Sequence, residues 1–192
     1  YGDWSSDVCS SDLVVASALR LAAEEGARVD VVWPAAWLHD CVHVAKDSPD
    51  RRQASRLAAA RAVEFLGGQG YPPDALPLIG HAIEAHSFSA GIPPRTVEAK
   101  VVQDADRLDA LGAIGVARCI AVGSALGRPL YQWHDPFCES RAPDDQAASV
   151  DHFYAKLLRL AGTMQTAAGR REAERRTDFI RAFLDQLRTE IA

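Results

Sequence analysis

The sequence lacks the features that would assign it to several specialised classes of protein. No apolar run approaches the ~20 residues that span a bilayer. No run of like charge marks a polybasic membrane anchor or a nucleic-acid surface, and the formal net charge is -5. Aromatic residues are only 7% of the 192-residue chain, which disfavours a β-sandwich. The four cysteines show no CxxC spacing. We therefore expect a cytoplasmic protein without nucleic-acid or membrane partners.

The residues that are abundant favour a helical protein. Apolar residues make up 48% and charged residues 24% of the chain, proportions typical of a globular domain. Alanine and leucine are frequent, and apolar residues recur at helical spacing between glycine, proline and polar segments. The sequence predicts a compact all-α, multi-helix fold. Its helices are expected over residues 14–26, 51–66, 114–125 and 150–160, after Pro34, around His81 and His86, after Thr96 as N-cap, and from Phe179 to Ile191.

The N-terminal segment differs in character from the rest of the chain. Residues 3–13 read DWSSDVCSSDL, with three aspartates, four serines and no helical or strand period. All eleven residues resemble the translation of a common short-read sequencing adapter. We therefore expect residues 1–13 to be an artefactual or disordered segment, and residues 14–192 to form a single domain.

A histidine and an aspartate stand together at the end of an apolar run. His39 and Asp40 directly follow residues 33–38, WPAAWL, so both side chains are expected at the end of a helix packed into the core. A neutral imidazole nitrogen and a carboxylate oxygen suit a divalent transition ion. The dipeptide alone also occurs by chance in many proteins.

A second group of acids lies in a predicted helix about sixty residues later. Asp104, Asp106 and Asp109 are surrounded by apolar neighbours in the sequence QDADRLDALGA. Buried carboxylates are normally paired or bound to metal. The alternative is a solvated helix face with an ion pair to Arg107, which contributes little stability.

Three segments together resemble the HD-domain metal-dependent phosphohydrolases, and most of all their small stand-alone bacterial branch associated with nucleotide hydrolysis. The segments are residues 36–40 (AWLHD), residues 85–89 (AHSFS) and residues 100–115 (KVVQDADRLDALGAIG). The resemblance continues to the last helix. It implies an all-α fold and a metal held by a histidine of the first helix, a His-Asp pair and a later aspartate.

The resemblance implies His39 and Asp40 as metal ligands. Motif alignment on Ala-Asp-Arg-Leu assigns Asp106 as the later aspartate, whereas helical phase favours Asp104. We prefer Asp106 and keep Asp104 as contender, as partner of the ligands and as a catalytic residue. The first-helix histidine is expected at about position 10, where this chain has Ser10. A hydroxyl replaces imidazole poorly, so we expect an impaired copy of an enzyme that binds its ion loosely.

Further residues are candidates for the substrate and for catalysis. We predict that Lys46 and Arg107 bind substrate phosphates, because cationic side chains suit phosphate oxygens. His86 is a catalytic candidate, as a phosphate contact or as an acid for the leaving group. The interpretations of His86 as a core histidine, or as a ligand of a second ion together with His81, stay open.

The predicted function is hydrolysis of a phosphate ester or anhydride with one divalent ion, which is Mn, Mg or a further transition ion. A second ion is left open. The resemblance implies a small phosphate substrate, a nucleotide, and a nucleoside triphosphate pyrophosphohydrolase is one form of this activity. The alternative is a non-catalytic helical module that senses nucleotides. A cyclic-dinucleotide phosphodiesterase is disfavoured, since the HD-GYP pattern is absent. A homodimer is left open.

Overall fold

The chain is all-α, as predicted. The computed structural model describes residues 9–44 and 52–191, and within those ranges it contains helices and no strand. A 3-10 helix, Leu157–Thr163, precedes the last α-helix. The α-helices are α1 Cys9–Glu25, α2 Val29–Leu38, α3 Ala54–Gly68, α4 Leu76–His86, α5 Val97–Leu108, α6 Gly112–Ala125, α7 Ser149–Ala155 and α8 Ala167–Ile191.

The described residues form two compact units. The first contains residues 9–44, 52–106 and 165–169, and the second contains residues 107–164 and 170–191. The sequence predicts a single domain over residues 14–192, and the contacts within the chain add this internal division.

In the first unit, α2 packs against α1, α3 and α4, and α3 packs against α4. The side chains between these helices are small and aliphatic, and each is at most 2% exposed. They include Val14, Ala18 and Leu21 of α1, Val31, Val32 and Ala35 of α2, and Ile79 and Ile83 of α4. Burial of such side chains stabilises by about 1.5–3 kcal/mol for each larger aliphatic group. This core fixes the ends of α2 and α4, where the histidines of interest stand.

Two helix starts differ from the prediction. α1 begins at Cys9 rather than at Val14. α2 begins at Val29, so Pro34 lies inside the helix and not in its first turn. An interior proline removes one backbone donor. The burial of Val31 and Val32, which precede Pro34, provides packing that compensates for the missing hydrogen bond.

The predicted N-cap of α5 is confirmed. The side-chain Oγ1 of Thr96 accepts a hydrogen bond of 3.1 Å from the backbone N–H of Ala99. This bond satisfies one of the N–H groups that the first turn of a helix leaves without an internal partner. The cap fixes where α5 begins, and thereby which of its later residues face the core.

In the second unit, an ion pair fixes the irregular segment that follows α6. Asp151 is fully buried and accepts hydrogen bonds from both terminal nitrogens of Arg141 and from the backbone N–H of Asp144. Burial by itself raises the pKa of Asp151, but these hydrogen bonds outweigh it, so the pKa lies below the ordinary value of 3.8. Residues 127–145 contain no helix.

No individual helix in the described ranges has both the length and the apolar character needed to cross a bilayer. α5 and α6 reach that length and composition only when they are counted together across the bend between them.

Candidate active site

His39 directly follows α2 and is 4% exposed. Its Nδ1 lies 2.7 Å from the carbonyl oxygen of Ala36. A carbonyl oxygen only accepts hydrogen bonds, so Nδ1 carries the proton, and in the neutral ring Nε2 keeps its lone pair. The last carbonyls of a helix have no partner within the helix, which explains why a histidine at this position bonds back to residue 36.

His86 is the last residue of α4 and repeats this arrangement. It is 6% exposed, and its Nδ1 lies 2.6 Å from the carbonyl oxygen of Ile83. The rings of His39 and His86 meet edge to face, with 5.0 Å between their centroids and 85° between their planes. Two helix ends of the first unit therefore bring two buried imidazoles together.

Two carboxylates lie next to these imidazoles. Oδ2 of Asp40 is 3.7 Å from Nε2 of His39, and Oδ1 of Asp40 is 3.5 Å from Nε2 of His86. Oδ1 of Asp106 is 3.8 Å from Nε2 of His39. The side chains of Asp40 and Asp106 are 75% and 38% exposed. The cluster thus has a buried imidazole side and a carboxylate side open to solvent.

The carboxylates of the cluster change the pKa of His86. Burial alone lowers the pKa of this imidazole, because it disfavours the charged ring. The contact with Asp40 and the negative charges of Asp106 and Asp40 outweigh burial, so the pKa of His86 lies above its ordinary value. Both carboxylates therefore create a negative field at the imidazoles, and this field attracts a cation.

The imidazole nitrogens and carboxylate oxygens of this cluster are donors that suit a divalent ion. They lie farther apart than donors that share one ion. Donors that share one ion at ordinary ligand distances lie about 3.0–3.4 Å from each other, whereas the separations here are 3.5–3.8 Å. Within residues 9–44 and 52–191, no group of three or more His, Cys, Asp or Glu side chains is already arranged to hold a metal. Because Asp40 and Asp106 are both partly exposed, their carboxylates can rotate inward.

Asp104 lies two residues from Asp106 and has a different environment. It is fully buried. Its Oδ1 accepts a hydrogen bond of 2.8 Å from the backbone N–H of Gln165, and its Oδ2 accepts bonds of 2.8 Å and 2.7 Å from the N–H and the hydroxyl of Thr166. These contacts give Asp104 the role of fixing residues 165–169 to α5. They offer no support for the predicted catalytic role.

His81 and Arg107 have other hydrogen-bond partners. Nε2 of His81 accepts a hydrogen bond of 3.0 Å from the backbone N–H of Arg95. The guanidinium of Arg107, in the second unit, donates to the carbonyl oxygen of Thr163. Lys46 lies outside the described residues, as does the side chain of Ser10. The structure thus brings together His39, Asp40, His86 and Asp106 of the predicted set.

Sequence reasoning did not identify the contact of Asp104 with Gln165 and Thr166. The partners are 61 and 62 residues apart in the chain and form no motif. The only signal was the helical phase, which places Asp104 on the buried stripe of α5. That phase indicated burial correctly, but it gave no information about the partner.

Comparisons with known proteins agree with this architecture. The HD domain family profile matches residues 11–111. YpgQ of Bacillus subtilis strain 168 is 33% identical over 193 residues, which cover 98% of this chain and 84% of YpgQ.

Solved structures resemble nearly all of the chain. The crystal structure of B. subtilis YpgQ in complex with ADP has a TM-score of 0.76 and 33% identity, covering 97% of this chain and 90% of that one. An HD-superfamily hydrolase from Bacillus thuringiensis has a TM-score of 0.74 and 32% identity, covering 95% of this chain and 84% of that one. With its His-Asp pair at the end of α2, this chain therefore belongs to the HD domain family and has the fold of HD-superfamily hydrolases.

Proposed function

We propose that this protein is a divalent-metal-dependent phosphohydrolase that acts on nucleotides. The observation that carries the proposal is the position of His39, whose Nε2 faces the carboxylates of both Asp40 and Asp106. His39, Asp40 and Asp106 would hold the ion. The imidazole of His86 lies 3.5 Å from the Asp40 carboxylate, and His86 remains the catalytic candidate.

The chemistry follows from the donor set. A divalent ion, when bound, lowers the pKa of water and neutralises charge on phosphoryl oxygens, which are the two requirements of phosphate-ester and anhydride hydrolysis. The hydrogen bond from Nδ1 of His39 to Ala36 fixes the tautomer and the direction of the imidazole. The exposed carboxylates of Asp40 and Asp106 leave the site accessible to a substrate.

The substrate class is supported by a relative. The structure of B. subtilis YpgQ contains ADP, and the family fold extends over nearly all of this chain. We propose a nucleoside triphosphate as the substrate and release of pyrophosphate as the reaction. Lys46 and Arg107 remain the predicted phosphate contacts, and Lys46→Ala is expected to raise KM for the nucleotide.

The test is a panel of nucleoside triphosphates and a phosphomonoester, each assayed with Mn²⁺, Mg²⁺ and Co²⁺. Metal-dependent release of pyrophosphate from the nucleotides is expected. His39→Ala should reduce it by more than the roughly 10–100-fold that loss of an outer partner of a ligand costs. Replacement of the exposed His134 by alanine is the control. Nucleotide binding without hydrolysis would instead indicate the sensing module, the alternative function.

The residue at position 10 bears on the level of activity. Ser10 stands where the family resemblance implies a histidine ligand, so we propose that this chain is an impaired enzyme. Ser10→His is expected to increase both metal affinity and turnover. Equal activity in the two forms would reject the impairment while leaving the hydrolase assignment intact.

A further inference from the structure

We propose that Gln103 is a positioning residue for His86 and acts through the last turn of α4. Its side-chain amide holds the end of α4 on α5 and so sets the direction of the imidazole. This inference rests on the proposed function, in which His86 is the catalytic candidate. It adds a residue that takes no part in holding the ion. Gln103 and His86 both belong to the first unit.

A buried hydrogen bond joins the two helices. Nε2 of Gln103, on α5, donates to the carbonyl oxygen of Ala85, on α4, at 2.6 Å. Gln103 is 3% exposed and Ala85 is fully buried, so water does not compete for this bond. The last four carbonyls of a helix have no donor within the helix, and α4 ends at His86. Gln103 therefore supplies a donor that α4 itself cannot provide.

This bond reaches the imidazole through the backbone. The carbonyl of Ala85 and the N–H of His86 belong to one planar peptide group, so a donor held on that oxygen also fixes the backbone at which His86 begins. The ring is fixed to the same turn, because its Nδ1 lies 2.6 Å from the carbonyl oxygen of Ile83. Two hydrogen bonds thus connect α5 with the direction of Nε2 of His86, which lies 3.5 Å from Oδ1 of Asp40.

Gln103 also shares a face of α5 with a candidate ligand. Asp106 follows it by three residues, and residues three apart are neighbours on the surface of a helix. Oδ1 of Asp106 is 3.8 Å from Nε2 of His39. The bond from Gln103 to Ala85 therefore connects the helix that carries Asp106 with the helix end that carries His86.

The amide of Gln103 uses only one of its two polar ends. A carbonyl oxygen only accepts hydrogen bonds, so the amide nitrogen faces Ala85 and the amide oxygen faces elsewhere. Oε1 of Gln103 is buried and has no hydrogen-bond partner in the part of the chain that the structure describes. A buried acceptor without a partner costs stability, and this cost is comparable with the net gain from one hydrogen bond. The amide thus adds little stability, and its main effect is to hold Ala85 in place.

Removal of the amide donor at nearly constant side-chain volume separates position from stability. Gln103→Met is the main variant and Gln103→Leu the second. Thr96→Ala is the control, because it weakens the start of α5 without touching Ala85. In the metal-free full chain, NMR of isotope-labelled histidine reports the environment of the His86 ring, and His86→Ala assigns its signals. With Mn²⁺ and a nucleoside triphosphate, kcat and KM are measured separately, and circular dichroism gives the melting temperature.

In Gln103→Met, the NMR signals of His86 should move. The kcat should fall by about 10-fold or more, because displacement of a catalytic group by about 1 Å can cost about 100-fold in rate. KM and the melting temperature should stay close to the wild-type values. Thr96→Ala should lower the melting temperature and leave the His86 signals and kcat unchanged. The double variant Gln103→Met/His86→Ala should be no slower than His86→Ala, since the effects of coupled residues are not additive.

Unchanged His86 signals or an unchanged kcat in Gln103→Met would overturn the inference, as would the same changes in Thr96→Ala. A double variant slower than His86→Ala by the full factor of Gln103→Met would also overturn it, because Gln103 would then act independently of His86. Failure of both Gln103 variants to fold would assign the bond to stability alone. If the wild type hydrolyses no nucleotide with any metal, the proposed function fails, and the NMR signals alone then decide whether Gln103 positions His86.

Discussion

Two aspartates that are two positions apart on α5, Asp104 and Asp106, should respond differently to the same substitution. Asp104 is fully buried and accepts three hydrogen bonds from Gln165 and Thr166. In Asp104→Asn, one carboxylate oxygen becomes an amide group that faces a backbone donor instead of accepting from it. Asp106 is 38% exposed, and its Oδ1 lies 3.8 Å from Nε2 of His39. Asp106→Asn removes charge from the metal cluster and leaves the core unchanged.

The magnitudes follow from the contacts. Hydrogen bonds to a charged group contribute about 1.5–3 kcal/mol, and a buried donor left unpaired costs about 1–3 kcal/mol. We therefore expect Asp104→Asn to lower the free energy of unfolding by about 2–4 kcal/mol. For a chain of this size the melting temperature falls by roughly 2–4 °C per kcal/mol, which gives a decrease of about 4–16 °C. A partly exposed position such as Asp106 should change the free energy of unfolding by no more than about 0.5 kcal/mol.

Thermal unfolding in EDTA, followed by circular dichroism, gives the stability of each variant without metal, and Mn²⁺ titration gives the affinity. Asp104→Asn should melt at a lower temperature than the wild type. At temperatures where it is folded, its affinity for Mn²⁺ should be close to the wild-type value. Asp106→Asn should have the melting temperature of the wild type and a lower affinity for Mn²⁺. The opposite pattern, with early melting in Asp106→Asn and weak binding in a stable Asp104→Asn, would refute the assignment of the two acids.

Three further substitutions test the scaffold. Thr96→Ala removes the N-cap of α5 and should cost about 1 kcal/mol of stability, measured by urea unfolding. Gly169→Ala should destabilise the chain, since an added Cβ would collide with the Asp104 carboxylate; an unchanged melting temperature would contradict that contact. Asp151→Asn should cost about 2–4 kcal/mol at pH 7 by breaking the buried pair with Arg141. Because the folded pKa of Asp151 is lowered, its contribution is present above the ordinary pKa of 3.8 and is lost as the pH falls further, so wild type and variant should converge in acid.

The fold was predictable because its helices carry strong local signals. Thr96 caps α5 as expected from its position before an apolar periodic segment. Pro34 misled the prediction, because proline usually occupies the first turn. In α2 the buried residues Val31 and Val32 extend the helix ahead of it. The packing of these valines thus sets the start of α2, which the preference of proline for the first turn placed later in the chain.

The sequence indicated the residue types of the site better than their arrangement in space. Three aspartates of one cluster have three different environments: Asp104 binds the 165–166 backbone, Asp106 lies beside His39, and Asp109 pairs with Arg118. The sequence indicated that such acids need partners. It could not give the partners of Asp104 and Asp109, because they lie on other segments and are brought close only by folding.

The proposed activity depends most on the ion that His39, Asp40 and Asp106 would share. Anomalous diffraction at the manganese edge, from crystals saturated with Mn²⁺, locates that ion directly. We expect a peak within direct coordination distance of Nε2 of His39 and of carboxylate oxygens of Asp40 and Asp106. A peak bound to other residues, or no peak at these three side chains, would contradict it.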